Sequence, residues 1–198
     1  LSIYKLRKLK GVNPETGVFE FVDFNGDGII TSTDDRKFIA DLTTKYYGNV
    51  SNNLIYKNWN LDFHFQFVKK LGYNEYYYTP APGKMFNQPV GVLNRWQEQG
   101  DQATMQIFTT GKNSNANTAY SQFGASDGIM TDASFVRLKS LSFSYKLPLN
   151  KENSSYLQLY LQGQNLLLIT GFKNGDPEQL TSFLPPVRRI SLGVRIVL

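Results

Sequence analysis

The run Trp59-Asn60-Leu61-Asp62-Phe63-His64-Phe65-Gln66-Phe67 alternates without a break, placing Trp59, Leu61, Phe63, Phe65 and Phe67 on one side and Asn60, Asp62, His64 and Gln66 on the other. Successive side chains of a strand point to opposite faces, so a period of two marks a β-strand with one apolar and one wet face. Residues 47–56 set Val50, Leu54 and Tyr56 opposite Asn49, Ser51 and Asn53. Only Lys57-Asn58 separates the two runs, which predicts a tight hairpin over residues 47–56 and 59–67.

Three later runs repeat the pattern. Over residues 134–146, Leu141, Phe143 and Tyr145 oppose Ser140, Ser142, Ser144 and Lys146. Over 156–170, Leu157, Leu159 and Leu161 oppose Gln158, Tyr160, Gln162 and Gln164. Over 188–198, Ile190, Leu192, Val194, Ile196 and Leu198 oppose Arg189, Ser191, Gly193 and Arg195. Arg137 and Lys139 share parity with Leu141, so that end of its strand either stands above an apolar zone or carries a bulge. Residues 2–9 alternate apolar and basic side chains and read as a sixth strand.

Composition narrows the setting. The longest aliphatic run, Leu166 to Ile169, is far shorter than the roughly 20 residues of a spanning helix, so any contact with a bilayer is made by strands. Aromatic content of 14% with a mean hydropathy of −0.34 suits β-structure with a wet face. The absence of cysteine excludes disulfides and thiolate chemistry. The formal charge of +5 comes from scattered Lys and Arg rather than one face, and it points to no nucleic acid.

Alternation alone suits a soluble sandwich and a membrane barrel equally. Connection lengths separate them: 57–58 and 148–155 are short, whereas 10–46, 68–133 and 171–187 are long, and short turns at one end with long loops at the other characterise outer-membrane barrels. Five or six strands cannot close a barrel whose smallest usual size is about eight. The expected fold is therefore all-β, antiparallel up-and-down strands forming a segment of a large transmembrane β-barrel, with the rest of the wall supplied upstream.

Several fragments occur in a collinear order: Gly11-Val12-Asn13-Pro14-Glu15-Thr16-Gly17, Asp23-Phe24-Asn25-Gly26-Asp27-Gly28-Ile29-Ile30, Asp35-Arg36, Phe135 to Tyr145, Gln162-Gly163-Gln164-Asn165-Leu166, Asp176-Pro177-Glu178, and Pro185-Pro186 before Ser191-Leu192-Gly193. Together they resemble the C-terminal section of SusC/RagA-family TonB-linked outer-membrane transporters, over nearly the whole chain. The resemblance implies residues 1–198 as a C-terminal barrel segment in the outer membrane of a Gram-negative cell, with a plug and a TonB-contacting region elsewhere in the protein. It also implies a SusD-like surface lipoprotein as lid, energy from the TonB complex, and import of oligosaccharides or peptides. Two features depart from the family pattern. Leu198 stands where an aromatic residue is usual, and one extra residue follows the Gly-Asp-Gly turn.

That turn has a chemistry of its own. Asp23, Asn25 and Asp27 at positions one, three and five, Gly28 at six, the Ile29 carbonyl at seven and Asp34 at twelve match the spacing of a calcium loop, because hard Ca2+ needs a dense set of oxygens. Asp34 and Asp35 compete for the closing role, and a turn that binds nothing explains the same residues. Counting strands back from residue 198 places whatever precedes Tyr47 outside the cell.

His64 is the only histidine and lies among polar residues without a nucleophile in sequence reach. No catalytic constellation is evident, and an enzyme is not expected. Tyr76, Tyr77, Tyr78, Phe86 and Trp96 in the long loop either stack on sugars or pack that loop, and residues 90–97 read as a short helical turn. The leading function is nutrient import. The alternative is a calcium-stabilised, secreted β-sheet binding or adhesion module.

Overall fold

The computed structural model describes residues 2–149, 155–180 and 184–198. In chain order its strands are β1 (Ile3–Leu6), β2 (Leu9–Val12), β3 (Phe19–Phe21), β4 (Phe38–Asp41), β5 (Tyr46–Tyr56), β6 (Trp59–Lys69), β7 (Leu71–Tyr73), β8 (Met130–Asp132), β9 (Phe135–Pro148), β10 (Tyr156–Thr170) and β11 (Arg189–Val197). The helix α1 spans Ser114–Phe123. Two compact units result. One holds the described residues up to Thr43 together with Leu71–Asp132, and the other holds Thr44–Lys70 with the described residues from Ala133 onward.

The second unit is one antiparallel sheet of order β11-β10-β9-β6-β5. β5 and β6 meet through Lys57-Asn58, where Lys57 adopts a left-handed φ of 53° that lets the chain reverse. Pairing runs from Tyr56 opposite Trp59 to Tyr46 opposite Lys69. The register joins like with like: Leu54 lies opposite Leu61 and Ser51 opposite His64, and across the sheet Leu61 faces Phe143 and His64 faces Ser140. The connection expected over 148–155 falls largely on residues 150–154, outside the described residues. Beside it, Leu149 N–H donates to the Ser155 carbonyl at 2.9 Å.

A bulge settles the parity of β9. Between His64 and Phe65 of β6 the register shifts, so Ser140 faces His64, Leu138 faces Phe65 and Arg137 faces Gln66, with Lys139 as the extra residue. One inserted residue flips every side chain beyond it, which moves Arg137 onto the polar face and Leu138 and Val136 onto the apolar one. A second shift lies between Gln164 and Leu167 of β10, where Asn165 has a φ of 53°.

The apolar face is bare: Leu192 is 81% and Ile190 72% exposed, and Val194, Leu159 and Leu161 lie alongside. A sandwich would cover such a face with a second sheet, whereas a transmembrane wall presents it to hydrocarbon. At the hairpin end of this face Trp59 stacks on Phe143 with centroids 5.0 Å apart and leans on Tyr145 at 4.4 Å. Aromatic clusters of this kind mark the membrane boundary of a barrel.

The other unit corrects two expectations. Residues 2–9 do not form one strand of the large sheet. β1 pairs with β4 and β2 with β3, because the chain breaks at Arg7, whose N–H donates to Ala125 O at 3.0 Å and whose carbonyl accepts from Asp127 N–H at 2.9 Å. The long segments 10–46 and 68–133, expected as loops, carry short strands and a helix of their own. They build a core of Phe19, Phe21, Met105, Ala119, Phe123 and Ile129, with Phe19 stacked on Phe123 at 4.4 Å. α1 supplies Ala116, Ala119 and Phe123 at helical spacing to its buried side, and the Asn113 side chain caps it by accepting from Ala116 N–H at 3.1 Å. The helical turn expected over 90–97 is a short 3-10 segment, Val90–Asn94.

Candidate functional site

The polar face of the sheet is the interior face of the wall. In its middle Ser51 Oγ and His64 Nδ1 share a 2.6 Å hydrogen bond, Asn53 Nδ2 donates to Asn60 Oδ1 at 2.7 Å, and Gln158 Nε2 donates to Ser144 Oγ at 3.0 Å. These bonds join short polar side chains of neighbouring strands across the hydrated face, and Ser51 is the partner of His64 on it.

Charge concentrates at the loop-bearing end of the same face. Arg137 Nη2 donates to both carboxylate oxygens of Asp176 at 2.7 and 2.6 Å, and both side chains are almost fully buried. Lys139 Nζ contacts both oxygens of Glu178 at 2.7 Å, and Arg137 Nε lies 3.4 Å from Glu178 Oε2. The bulge makes this arrangement: with Lys139 inserted, residues 137 and 139 both reach the carboxylates of Asp176-Pro177-Glu178. Asp176 Oδ1 also accepts Glu178 N–H at 2.9 Å, closing the turn on itself. The signal in the sequence was the off-parity pair Arg137 and Lys139. Nothing in the local pattern of Asp176-Pro177-Glu178 marks it as their partner.

The calcium-type loop is ordered by its own backbone. Asp23 accepts from Gly26 N–H at 2.7 Å and Gly28 N–H at 2.8 Å, Asp27 Oδ1 accepts from Ile29 N–H at 2.7 Å, and Asn25 Nδ2 donates to Asp27 Oδ2 at 2.8 Å. The N–H groups of Gly28 and then Gly26 hold the Asp23 carboxyl below the usual carboxylate range. Asp34 bonds only locally, to Thr31 Oγ1 at 3.1 Å. Asp35 is fully buried and ties the backbone across the turn, accepting from Phe24 N–H at 2.9 Å and Thr31 N–H at 2.7 Å. Among the described residues no three His, Cys, Asp or Glu side chains converge on one point. The donor types nonetheless suit Ca2+. A carboxylate oxygen that accepts one N–H keeps a second lone pair, and Asn25 presents its oxygen to a cation by a turn of the amide.

Most of the loop aromatics pack. Tyr76 lies against the core and meets Phe123 edge-on at 6.4 Å, and Tyr77 stacks on Tyr73 at 3.9 Å. Trp96 donates from its indole to Pro14 O at 2.8 Å, and its ring lies over Gly17, where a Cβ would sit 2.5 Å from ring carbons. Gly17 also has a φ of 71°, so the Asn13-Pro14-Glu15-Thr16-Gly17 turn needs glycine twice over. Tyr78 and Phe86 remain exposed.

An open antiparallel sheet with a wet, charged face and an uncovered apolar one defines a piece of transmembrane β-barrel wall. No family model matches the chain. It is 32% identical over 166 residues to TonB-dependent receptor P3 of Formosa agariphila, covering 80% of this chain and 15% of that protein. It is also 32% identical over 165 residues to TonB-dependent receptor P26 of the same organism, covering 82% and 16%. Among solved structures, the RagAB peptide importer in its open-open and closed-closed states superposes with a TM-score of 0.72 at 21% identity, over 96% of this chain and 22% of that one. The chain belongs to the TonB-dependent receptors, its fold matches a segment of the RagAB importer, and it spans less than a fifth of the length of these curated relatives.

Proposed function

We propose that this chain forms wall strands and outer connections of an outer-membrane importer that takes up oligosaccharides or peptides. The observation that carries the reading is the division of one sheet into a bare apolar face and a polar face whose charged end is pinned to the 171–180 connection by Arg137 and Asp176. A wall of this kind conducts nothing alone. In this reading, segments beyond the chain supply the plug and the contact with the TonB complex, and a SusD-like surface lipoprotein closes over the mouth. A secreted adhesion module fits less well, since it would leave Ile190, Leu192 and Val194 in water.

The test uses the full-length protein in its own membrane. Deleting its gene should abolish uptake of at least one class of labelled oligosaccharide or peptide, and a surface lipoprotein should co-purify with the tagged transporter. Unchanged uptake of both classes contradicts import.

In the same reading, residues 23–34 face the outside, where millimolar calcium meets the oxygens of Asp23, Asn25, Asp27, the Ile29 carbonyl and Asp34. An isolated extracellular site of this kind binds with a dissociation constant of about 10⁻⁴ to 10⁻³ M. Calorimetric titration of the full-length protein should show such a site and lose it in the Asp23→Ala, Asp27→Ala double variant. No heat at millimolar calcium leaves the loop as an Asn-Gly turn.

A further inference from the structure

Beside the Arg137 and Asp176 pair, the interior face holds a recess of 240 Å3 lined by Tyr47, Gln66, Val68, Lys70, Phe135 and Glu178. It is smaller than the roughly 300–1,000 Å3 of a complete ligand pocket. It therefore suits one end group of a larger molecule.

The charges around it do not balance. Arg137 is bound to Asp176, and Lys139 to Glu178. Lys70 is a third cation on the same face, held with its Nζ 5.9 Å from the Phe135 ring centroid. Among the described residues no carboxylate oxygen lies within ion-pair distance of that nitrogen, because both nearby acids are already engaged by the other two cations. A half-buried ammonium beside an aromatic face, with no carboxylate oxygen at ion-pair distance, is a donor for an anion, and a charge-assisted hydrogen bond is the strongest contact such a place makes.

We propose that Lys70 anchors a carboxylate of the transported molecule in this recess. The assignment rests on the import reading, and it names the chemistry: a molecule bearing a terminal carboxylate, either the C-terminus of a peptide or the acid group of a uronate sugar. The planar carboxylate accepts from Lys70 Nζ while the attached apolar part lies on Val68 and Phe135.

The test is a binding measurement on the detergent-solubilised full-length transporter with two matched pairs of probes. These are tetra-alanine with a free or an amidated C-terminus, and trigalacturonate or its methyl ester. At least one acid should bind more tightly than its neutral partner, and which acid does so identifies the source of the carboxylate. Lys70→Met should weaken that acid by roughly tenfold to a hundredfold, the range for a hydrogen bond to a charged group, and leave the neutral partner unchanged. Lys70→Arg, which keeps the charge, should retain the preference. Equal affinity of acid and neutral forms overturns the proposal, and so does binding of neither. A preference that survives in Lys70→Met also overturns it. A loss of assembly in Lys70→Met without acid selectivity in the parent would show that Lys70 pairs with another part of the barrel, and would overturn it equally. Selective binding in a protein that imports nothing contradicts the import reading and leaves the subsite standing.

Discussion

Arg137 Nη2 lies 2.7 and 2.6 Å from the two carboxylate oxygens of Asp176, although 39 residues separate them in the chain. The pair ties the connection after β10 to the inner face of β9, with both side chains almost fully buried. Removing one partner leaves the other charge buried, which costs about 3–5 kcal/mol, whereas removing both with apolar replacements restores most of that. Arg137→Met and Asp176→Leu should each lower stability of the full-length protein by that amount, and the double variant should recover much of it. Urea unfolding in micelles reads the cycle.

The tie made by Asp35 across the Gly-rich turn gives a second prediction. Asp35→Ala leaves the part-buried Phe24 and Thr31 N–H groups without their acceptor, at about 1 kcal/mol for each bond. Asp34→Ala breaks only the bond to Thr31 and should cost much less. Hydrogen exchange at Phe24 and Thr31 should accelerate in the first variant and stay near the parent rate in the second.

Gly17 gives a third. A side chain there meets the Trp96 ring and must hold a left-handed φ, which costs roughly 1–2 kcal/mol before any clash. Gly17→Ala should shift Trp96 fluorescence to the red and raise proteolysis of residues 13–17. Gly171→Ala, where a Cβ meets nothing and the backbone is not left-handed, should leave the emission unchanged.

The fourth concerns the lipid face. Leu159→Arg places a charge on the apolar side near mid-wall, with an expected cost of about 2–4 kcal/mol, while Gln162→Arg adds one to the wet side and should be tolerated. Folding of the full-length protein into lipid vesicles, followed by gel mobility with and without heating, distinguishes the two.

The sheet was largely legible in the sequence because each strand carries its own period of two, and facing partners such as Leu61 and Phe143 repeat the same polarity. The parity conflict at Arg137 announced a bulge but not its purpose, since the partners Asp176 and Glu178 come from a distant connection with no periodicity. The other unit was harder. Its core residues Phe19, Met105 and Phe123 come from segments whose elements are three or four residues long, or whose helix is half Ser, Asn and Thr, so no local pattern announces them. Residues 2–9 misled for the opposite reason: their alternation is real, yet backbone pairing of Arg7 with residues 125–127 breaks the strand. In the turn after Gly28, spacing offers Asp34 and Asp35 alike, and their burial, full for Asp35 and partial for Asp34, is not written in it.

The central claim is that odd-numbered residues of β10 face lipid and even-numbered ones face the barrel interior. This chain has no cysteine, so single cysteines at positions 157 to 162 of a full-length protein otherwise free of cysteine can each carry a spin label in lipid vesicles. Accessibility to dissolved oxygen should peak at 157, 159 and 161, and accessibility to a water-soluble nickel chelate at 158, 160 and 162. Loss of the two-residue alternation, or its inversion, would contradict the account.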